Sequence, residues 1–322
     1  MKQHHPHPFV ISILAAVLLA GLSIYGFHGI LSAEAAGTLP DTGWASILIL
    51  ASTAASWWLL GNLVGLKDWP FIGWLVPAVF GISLLLGWEF ICRGFGVPKV
   101  LLPAPSQIWL AFFRELPTLV DDFRQTFLKA VIAGFVIGNA LGLATALIVD
   151  RVPFLQRGLL PLGNMVSAVP IIGIAPIMVM WFGFGWESKT AVIVFMIFFP
   201  MLVNALAGLN AADNMQRDLM RSYAAGYWAT LLKLRLPAAL PFLFNALKIN
   251  STLALIGAIV AEFFGSPISG MGFRISVEVA RMNVDVVWAT IAVAALAGSL
   301  SYGVLALLER RLTSWHASFR GR

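Results

Sequence analysis

Residues Asn214–Ile249 read NMQRDLMRSYAAGYWATLLKLRLPAALPFLFNALKI. They lie between two long apolar segments and hold the densest run of basic charge, with Arg217, Arg221, Lys233 and Arg235 inside it and Lys248 following. Met220, Tyr223, Tyr227, Leu231 and Leu234 recur at three and four residues, the spacing of one helical face. Ala224-Ala225-Gly226 makes a small-residue break, and Leu236-Pro237 is expected to end the helical run. An amphipathic helix carrying Tyr and Trp between membrane spans is suited to dock into another protein. The stretch therefore predicts a membrane protein driven by a cytosolic partner.

Composition agrees. Of 322 residues 59% are hydrophobic and only 11% charged, and the mean hydropathy is +0.87. A soluble domain is nearer one half apolar and one quarter charged. The twelve Trp residues suit the interfacial belts of a membrane protein. The net charge of +6 is that of cationic cytosolic loops rather than of a nucleic-acid surface. One cysteine, Cys92, excludes an internal disulfide and any multi-cysteine metal site; it is expected near a span end as a small apolar residue.

Apolar runs of about 20 residues, enough to cross a bilayer, fall near Phe9–Leu31, Trp44–Leu66, Phe71–Cys92, Phe127–Val149, Leu159–Phe182, Thr190–Leu209, Phe242–Phe264 and Val286–Leu308. The expected fold is thus an all-α integral membrane protein of about eight spans. The first run is too long for a signal-peptide core, and Ala33-Glu34-Ala35 is a weak cleavage pattern. The His4-His5-Pro6-His7-Pro8 start is read as a disordered terminus rather than a metal tract. With both termini in the cytosol, most of the Lys and Arg residues fall on the cytosolic side, as orientation by basic loops requires, and the acids lean the other way. The docking segment is then cytosolic too.

Texture divides the chain. Residues 1–68 hold two spans with few side chains suited to lining a path. From 69 to 322 Pro, Gly, Asn and Ser enter the spans, as where backbones approach closely or line a cavity. The Pro-rich Val97–Trp109 reads as an external loop, followed by an interfacial helix over Leu110–Glu115. Asn164, Ser167, Pro170, Pro176 and Asn250 are candidate path residues, the alternative for each being helix–helix glue. Glu262 is the strongest ionisable candidate, since an acid near membrane depth is costly. Glu187 and Lys189 are expected in a short solvated external loop.

Residues 70–318 resemble the permease subunits of bacterial ATP-binding-cassette (ABC) importers, in the nitrate/sulfonate/taurine branch. Four features carry the resemblance in order. Leu102-Pro103-Ala104-Pro105-Ser106-Gln107 is similar to the branch's Pro-Ser-Pro loop. Ala168-Val169-Pro170 through Ala175-Pro176 and Trp181-Phe182-Gly183 is similar to its proline-rich third core span. Asp218 to Pro237 resembles the cytosolic signature of a Glu-Ala-Ala start, a Gly six residues on and a later Leu-Pro. Ala261-Glu262-Phe263-Phe264 through Gly270-Met271-Gly272 is similar to the fifth-span exit and its Gly-x-Gly turn. Two departures stand out: Asp218-Leu219-Met220 replaces Glu-Ala-Ala, and Ala224 stands where the Gly belongs.

The resemblance implies a six-helix permease core preceded by two extra spans, multi-pass in the bacterial cytoplasmic (inner) membrane. It implies a coupling helix that sits in a groove of a separate ATPase, with Asp218, Arg221, Tyr223, Ala224, Ala225, Gly226, Tyr227, Trp228, Leu236 and Pro237 as its residues. The implied partners are two ATPase subunits, a periplasmic or lipid-anchored solute-binding protein and a second permease copy. The implied solute is a small organic or oxyanion compound, and the Asp218–Tyr223 wording is closer to the pyrimidine and vitamin-precursor side. No Gly-x-x-x-x-Gly-Lys-Ser/Thr pattern occurs, so ATP and magnesium belong to the partner. No catalytic pattern or metal-ligand cluster is found, and the chain is read as a transport subunit rather than an enzyme. An ion-gradient-driven secondary transporter is the competing class; it calls for internal repeats with paired broken helices, and no repeat is evident.

Overall fold

A computed structural model describes residues 21, 24–26, 28–29, 32, 42–64, 72–152, 154–155, 158–159, 163, 169–265 and 268–315. Among them there is no strand. The helices are α1 (Thr42–Val64), α2 (Ile72–Gly94), α3 (Pro105–Arg114), α4 (Leu116–Phe123), α5 (Ile132–Arg151), α6 (Ile171–Phe182), α7 (Trp186–Leu209), α8 (Asn214–Ser222), α9 (Tyr227–Thr230), α10 (Leu236–Phe264), α11 (Met271–Ala280) and α12 (Val284–Leu312). Two π-helical stretches interrupt them, Arg124–Val131 between α4 and α5 and Leu231–Arg235 between α9 and α10.

Five helical segments among the described residues are long and apolar enough to cross a membrane: Ile72–Gly94, Leu116–Arg151, Trp186–Leu209, Tyr227–Phe264 and Val284–Leu312. They match five of the expected spans and extend two of them. The expected Phe127–Val149 begins eleven residues earlier, at Leu116. The expected Phe242–Phe264 begins at Tyr227, so Leu236-Pro237 does not end the helix. At that point Leu236 N–H reaches the Leu231 carbonyl five residues back. The π turn thereby absorbs a proline that lacks the donor for an α ladder. α1 covers the expected Trp44–Leu66 as far as Val64, α6 is the longest described stretch of Leu159–Phe182, and Phe9–Leu31 lies mostly outside the described residues.

The chain packs as two compact units, Met1–Arg114 with Met282–Ala289, and Glu115–Arg281 with Thr290–Arg322. In the first, Leu59 and Leu63 of α1 are buried against Ile72, Val76 and Val79 of α2. The Pro-rich stretch becomes helical from Pro105. Glu89 accepts from Ser106 N–H at 2.9 Å and from Ser106 Oγ at 2.7 Å, and Arg93 also donates to Ser106 Oγ at 2.7 Å. The start of α3 is thus pinned to the end of α2. Cys92 is buried near that end, as expected.

In the second unit α5, α7 and α10 form the packed centre. Gly134, Gly138 and Gly142 line one face of α5. A Cβ at these positions would come within 2.6 Å of Ile193, 2.5 Å of Ile197 and 2.7 Å of the Phe198 carbonyl oxygen. α10 contributes Ala239, Ala246, Ala254, Ala258 and Ala261, all with no exposed surface. Small residues let the backbones close in, which substitutes for the hydrophobic drive that lipid does not supply.

Candidate functional site

The segment after α7 folds as the short helix α8 and the first turns of the helical run Tyr227–Phe264, rather than the single helix that its periodicity suggests. α8 starts at Asn214, where the Asp213 carbonyl takes Arg217 N–H at 3.0 Å. It ends in a Schellman turn: Ala224 N–H bonds the Arg221 carbonyl at 2.9 Å and Ala225 N–H the Met220 carbonyl at 3.0 Å. Ala224 has φ of +49°, the left-handed conformation that this motif requires and that glycine adopts without cost. Gly226 is extended, and α9 begins after it. The break turns the two halves of the apolar stripe in different directions.

Tyr223 is 78% exposed and Trp228 60% exposed, and Met215 and Leu219 on α8 are also bare. Asp218 sits in the middle of α8 rather than near its start, and pairs with Arg221 at 3.2 Å in full view of solvent. Ala224 and Gly226 are exposed and Ala225 half-buried. Tyr227 turns inward instead. Its hydroxyl donates to Asp150 Oδ2 at 3.0 Å, and its ring lies beneath the Arg151 guanidinium, 4.3 Å from the centroid. Arg151 also covers Trp228 at 4.9 Å. Arg235 grips the same Asp150 carboxylate with both terminal nitrogens, at 2.7 and 2.6 Å. Leu236 and Pro237 lie half-buried in the first turn of α10. Asp150 and Arg151 were not among the sequence candidates. The only signal for them is a charged pair closing an apolar run, as Lys67-Asp68 also does.

A second polar constellation gathers around Glu262, which is 3% exposed. Thr126 Oγ1 donates to Glu262 at 2.8 and 3.1 Å, and Gly272 N–H donates at 2.7 Å. Met271 N–H donates to Thr126 Oγ1 at 2.7 Å, and Gly270 N–H to Asp122 at 2.8 Å. The start of α11 thus offers three backbone donors to three side chains. Asp122, fully buried, also takes Arg274 Nε–H at 2.7 Å. Burial works against the Arg274 charge, yet Asp122 and Glu278 hold its pKa above the ordinary value.

Lys189 corrects an expectation. It lies in the first turn of α7 and is 2% exposed, not solvated in a loop. Its ammonium donates to the Phe184 carbonyl at 2.8 Å and to the Gly265 carbonyl. Those carbonyls follow the ends of α6 and α10, where helix dipoles favour a cation. Glu187 is exposed as expected, but it too lies in the first turn of α7 rather than in a loop.

Of the path candidates, Asn164 and Ser167 lie outside the described residues. Pro170 precedes α6 in extended conformation and Pro176 is inside it. Nearby, a cavity of about 240 Å³ is lined by apolar residues that include Ile171, Phe199 and Pro200. Asn250 has no exposed surface; its amide donates to Asn139 Oδ1 at 2.7 Å and to the Ile197 carbonyl at 3.1 Å. That is the geometry of glue between α5, α7 and α10. No group of three or more His, Cys, Asp or Glu is placed to hold a metal ion among the described residues.

Comparison with known proteins fits this architecture. Residues 138–314 match the family described as binding-protein-dependent transport system inner membrane component. The chain is 30% identical over 294 residues to the putative aliphatic sulfonates transport permease protein of Bacillus subtilis, covering 90% of this chain and 100% of that one. It is 33% identical over 264 residues to the taurine transport system permease protein of Escherichia coli, covering 77% and 92%. It is 31% identical over 245 residues to the formylaminopyrimidine transport permease protein of Halalkalibacterium halodurans, covering 75% and 96%. With spans of the expected length, close small-residue packing and these relatives in common, the chain belongs to the binding-protein-dependent transport family and is a permease subunit of an ABC transporter.

Proposed function

We propose that this permease docks its ATPase through the exposed face of α8 and the turn after it, and carries a small organic or oxyanion solute across the cytoplasmic membrane. The observation that carries the docking reading is the contrast within one short segment. Met215, Leu219, Tyr223 and Trp228 are bare, while the segment's base is tied down by Arg235 and Asp150. Large, stiff aromatic side chains held on a fixed base are what a groove recognises. Arg221 supplies a rim charge.

In this reading eight spans cross the membrane with both termini cytosolic. Residues 1–68 form a peripheral pair of spans beside the permease core of 69–322. One chain offers a single docking element, so two copies pair as a homodimer with two ATPase subunits, which hold ATP and magnesium. A periplasmic or lipid-anchored binding protein delivers the solute. The relatives named for sulfonates, taurine and formylaminopyrimidine, with others named for riboflavin and bicarbonate, support the solute class.

The test is ATP hydrolysis by the permease reconstituted in liposomes, with and without its co-purified ATPase, on adding binding protein loaded with each solute class. Stimulation that needs both partners supports the reading. Uptake driven by an ion gradient with no ATPase present would overturn it. A transporting complex with one permease and one ATPase by native mass spectrometry would overturn the dimer.

A further inference from the structure

Asp150 closes the last turn of α5, and groups from across the loop converge on its carboxylate. Arg235 engages both oxygens, Nη1 to Oδ2 at 2.7 Å and Nη2 to Oδ1 at 2.6 Å. Tyr227 adds its hydroxyl to Oδ2 at 3.0 Å. The third Arg235 nitrogen, Nε, donates to the carbonyl of Leu209, the last residue of α7, at 2.9 Å. Both side chains are largely buried, at 13% and 6% exposure. Arg151 caps the assembly by lying over Tyr227 and Trp228. One guanidinium therefore fastens the second π stretch to the ends of both α5 and α7.

The helices that it grips are themselves joined. The glycine face of α5 leaves no space for a Cβ against α7. Asn250 of α10 bonds Asn139 of α5 and the Ile197 carbonyl of α7. Displacing the end of one helix of this trio displaces its neighbours, because close-packed interiors shift as bodies rather than compress. The docking side chains Met215, Leu219 and Tyr223 belong to α8 and its turn. The fork holds Leu209, just before α8, and Tyr227 and Arg235, just after it, so it ties both ends of the docking segment to α5.

We propose that the Asp150–Arg235–Tyr227 fork is the joint through which motion of the docking segment turns the α5–α7–α10 body. This rests on the docking reading above. A two-pronged guanidinium–carboxylate pair is planar and fixes angle as well as distance. Lys in place of Arg235, or an amide in place of Asp150, keeps the ends close but lets them swivel. Asp150 and Arg235 are positioning residues: they act on the transport cycle through the helices that they orient. The exposed Asp218–Arg221 pair cannot serve in this way, since water and salt screen it.

The experiment uses the full permease co-purified with its ATPase in lipid nanodiscs. The native cysteine is removed as Cys92→Ser, and Phe263→Cys, an exposed position near the far end of α10, reports the body's movement. The rate of its reaction with a charged maleimide is measured without nucleotide and with ATP plus orthovanadate. Asp150→Asn and Arg235→Lys should retain the ATPase in unchanged ratio, while the nucleotide-dependent change in labelling rate falls roughly fivefold or more. Asp150→Glu should restore part of it. A full nucleotide-dependent change in Asp150→Asn would overturn the proposal. So would loss of the ATPase from that variant, since the fork would then shape the docking surface itself. If Asp150→Asn fails to fold, Tyr227→Phe and Arg235→Lys decide: an undiminished change in both overturns the joint. A separate arm, Ala224→Trp, tests docking. ATPase retained by that variant sinks the docking reading, whereas ATPase released by it and a full response in Asp150→Asn sinks the joint alone.

Discussion

The helical run from Leu116 to Arg151 carries a polar constellation at each end, and the two are built on opposite plans. Around Thr126, the acids Asp122 and Glu262 are each met by donors from the start of α11, and Arg274 closes the set. Little there is left to offer a partner. Around Asp150 a single fork is buried, and beside it Tyr223 and Trp228 stand bare. The first plan spends its polar groups on holding α11 to the bundle. The second uses few groups to brace a surface whose apolar side chains remain available. Burying ionic groups makes a part of the molecule rigid, whereas leaving aromatic groups exposed on a rigid base makes it adhesive.

Substitutions separate these roles. Asp122→Ala should have the largest effect, destabilising the fold by about 3–5 kcal/mol, because it leaves Arg274 partly buried without its closest partner. The thermal unfolding midpoint of the purified permease reads this, and the folded fraction should still retain ATPase. If stability is unchanged, the Thr126 end is not the structural one. Ala224→Trp should act the other way round. Overpacking a docking contact costs about 1–3 kcal/mol, so ATPase retention should drop by tenfold or so with no fall in the unfolding midpoint. Loss of fold together with ATPase would erase the contrast between the ends.

Two smaller effects sharpen it. Ala224→Gly should leave transport intact and raise stability by up to about 1 kcal/mol, since glycine relieves the left-handed strain at φ +49°. A destabilised Ala224→Gly would mean that the residue is helical in solution. Arg221→Ala should weaken ATPase retention at low ionic strength and leave it unchanged at high ionic strength, as a rim charge does. Equal weakening at both would place Arg221 within the buried contact.

Much of this was legible in the sequence, and the omissions have physical causes. Apolar run length located the spans that the structure describes, because bilayer thickness sets that length directly. The Met220–Leu234 periodicity located the helical segment after α7 but missed its break, since a spacing rule does not register a left-handed residue unless glycine marks it, and here the residue is Ala224. Lys189 was misplaced because charge suggests water, while helix-end carbonyls held in space can replace water. Asn250 carried both readings, path and glue, until Asn139 and Ile197 were seen beside it. The Asp150–Arg235 fork joins residues 85 apart in the chain, a pairing that no local pattern records.

Each constellation also lies on a π-helical stretch: Thr126 within Arg124–Val131 and Arg235 at the end of Leu231–Arg235. A π turn stores one more residue than the α pitch needs, so each stretch acts as a length reserve in the helix. Removing one residue from Leu231–Leu234 would let the segment relax to α pitch with both flanks near their present phase, whereas a deletion in the α-helical part beyond it would turn the flanks apart by about 100°. The surplus residue is the one that the helix can lose and still keep its phase. A single-residue deletion scan along Tyr227–Leu240 would show it as an island of retained coupling at the π stretch between positions where deletion abolishes coupling.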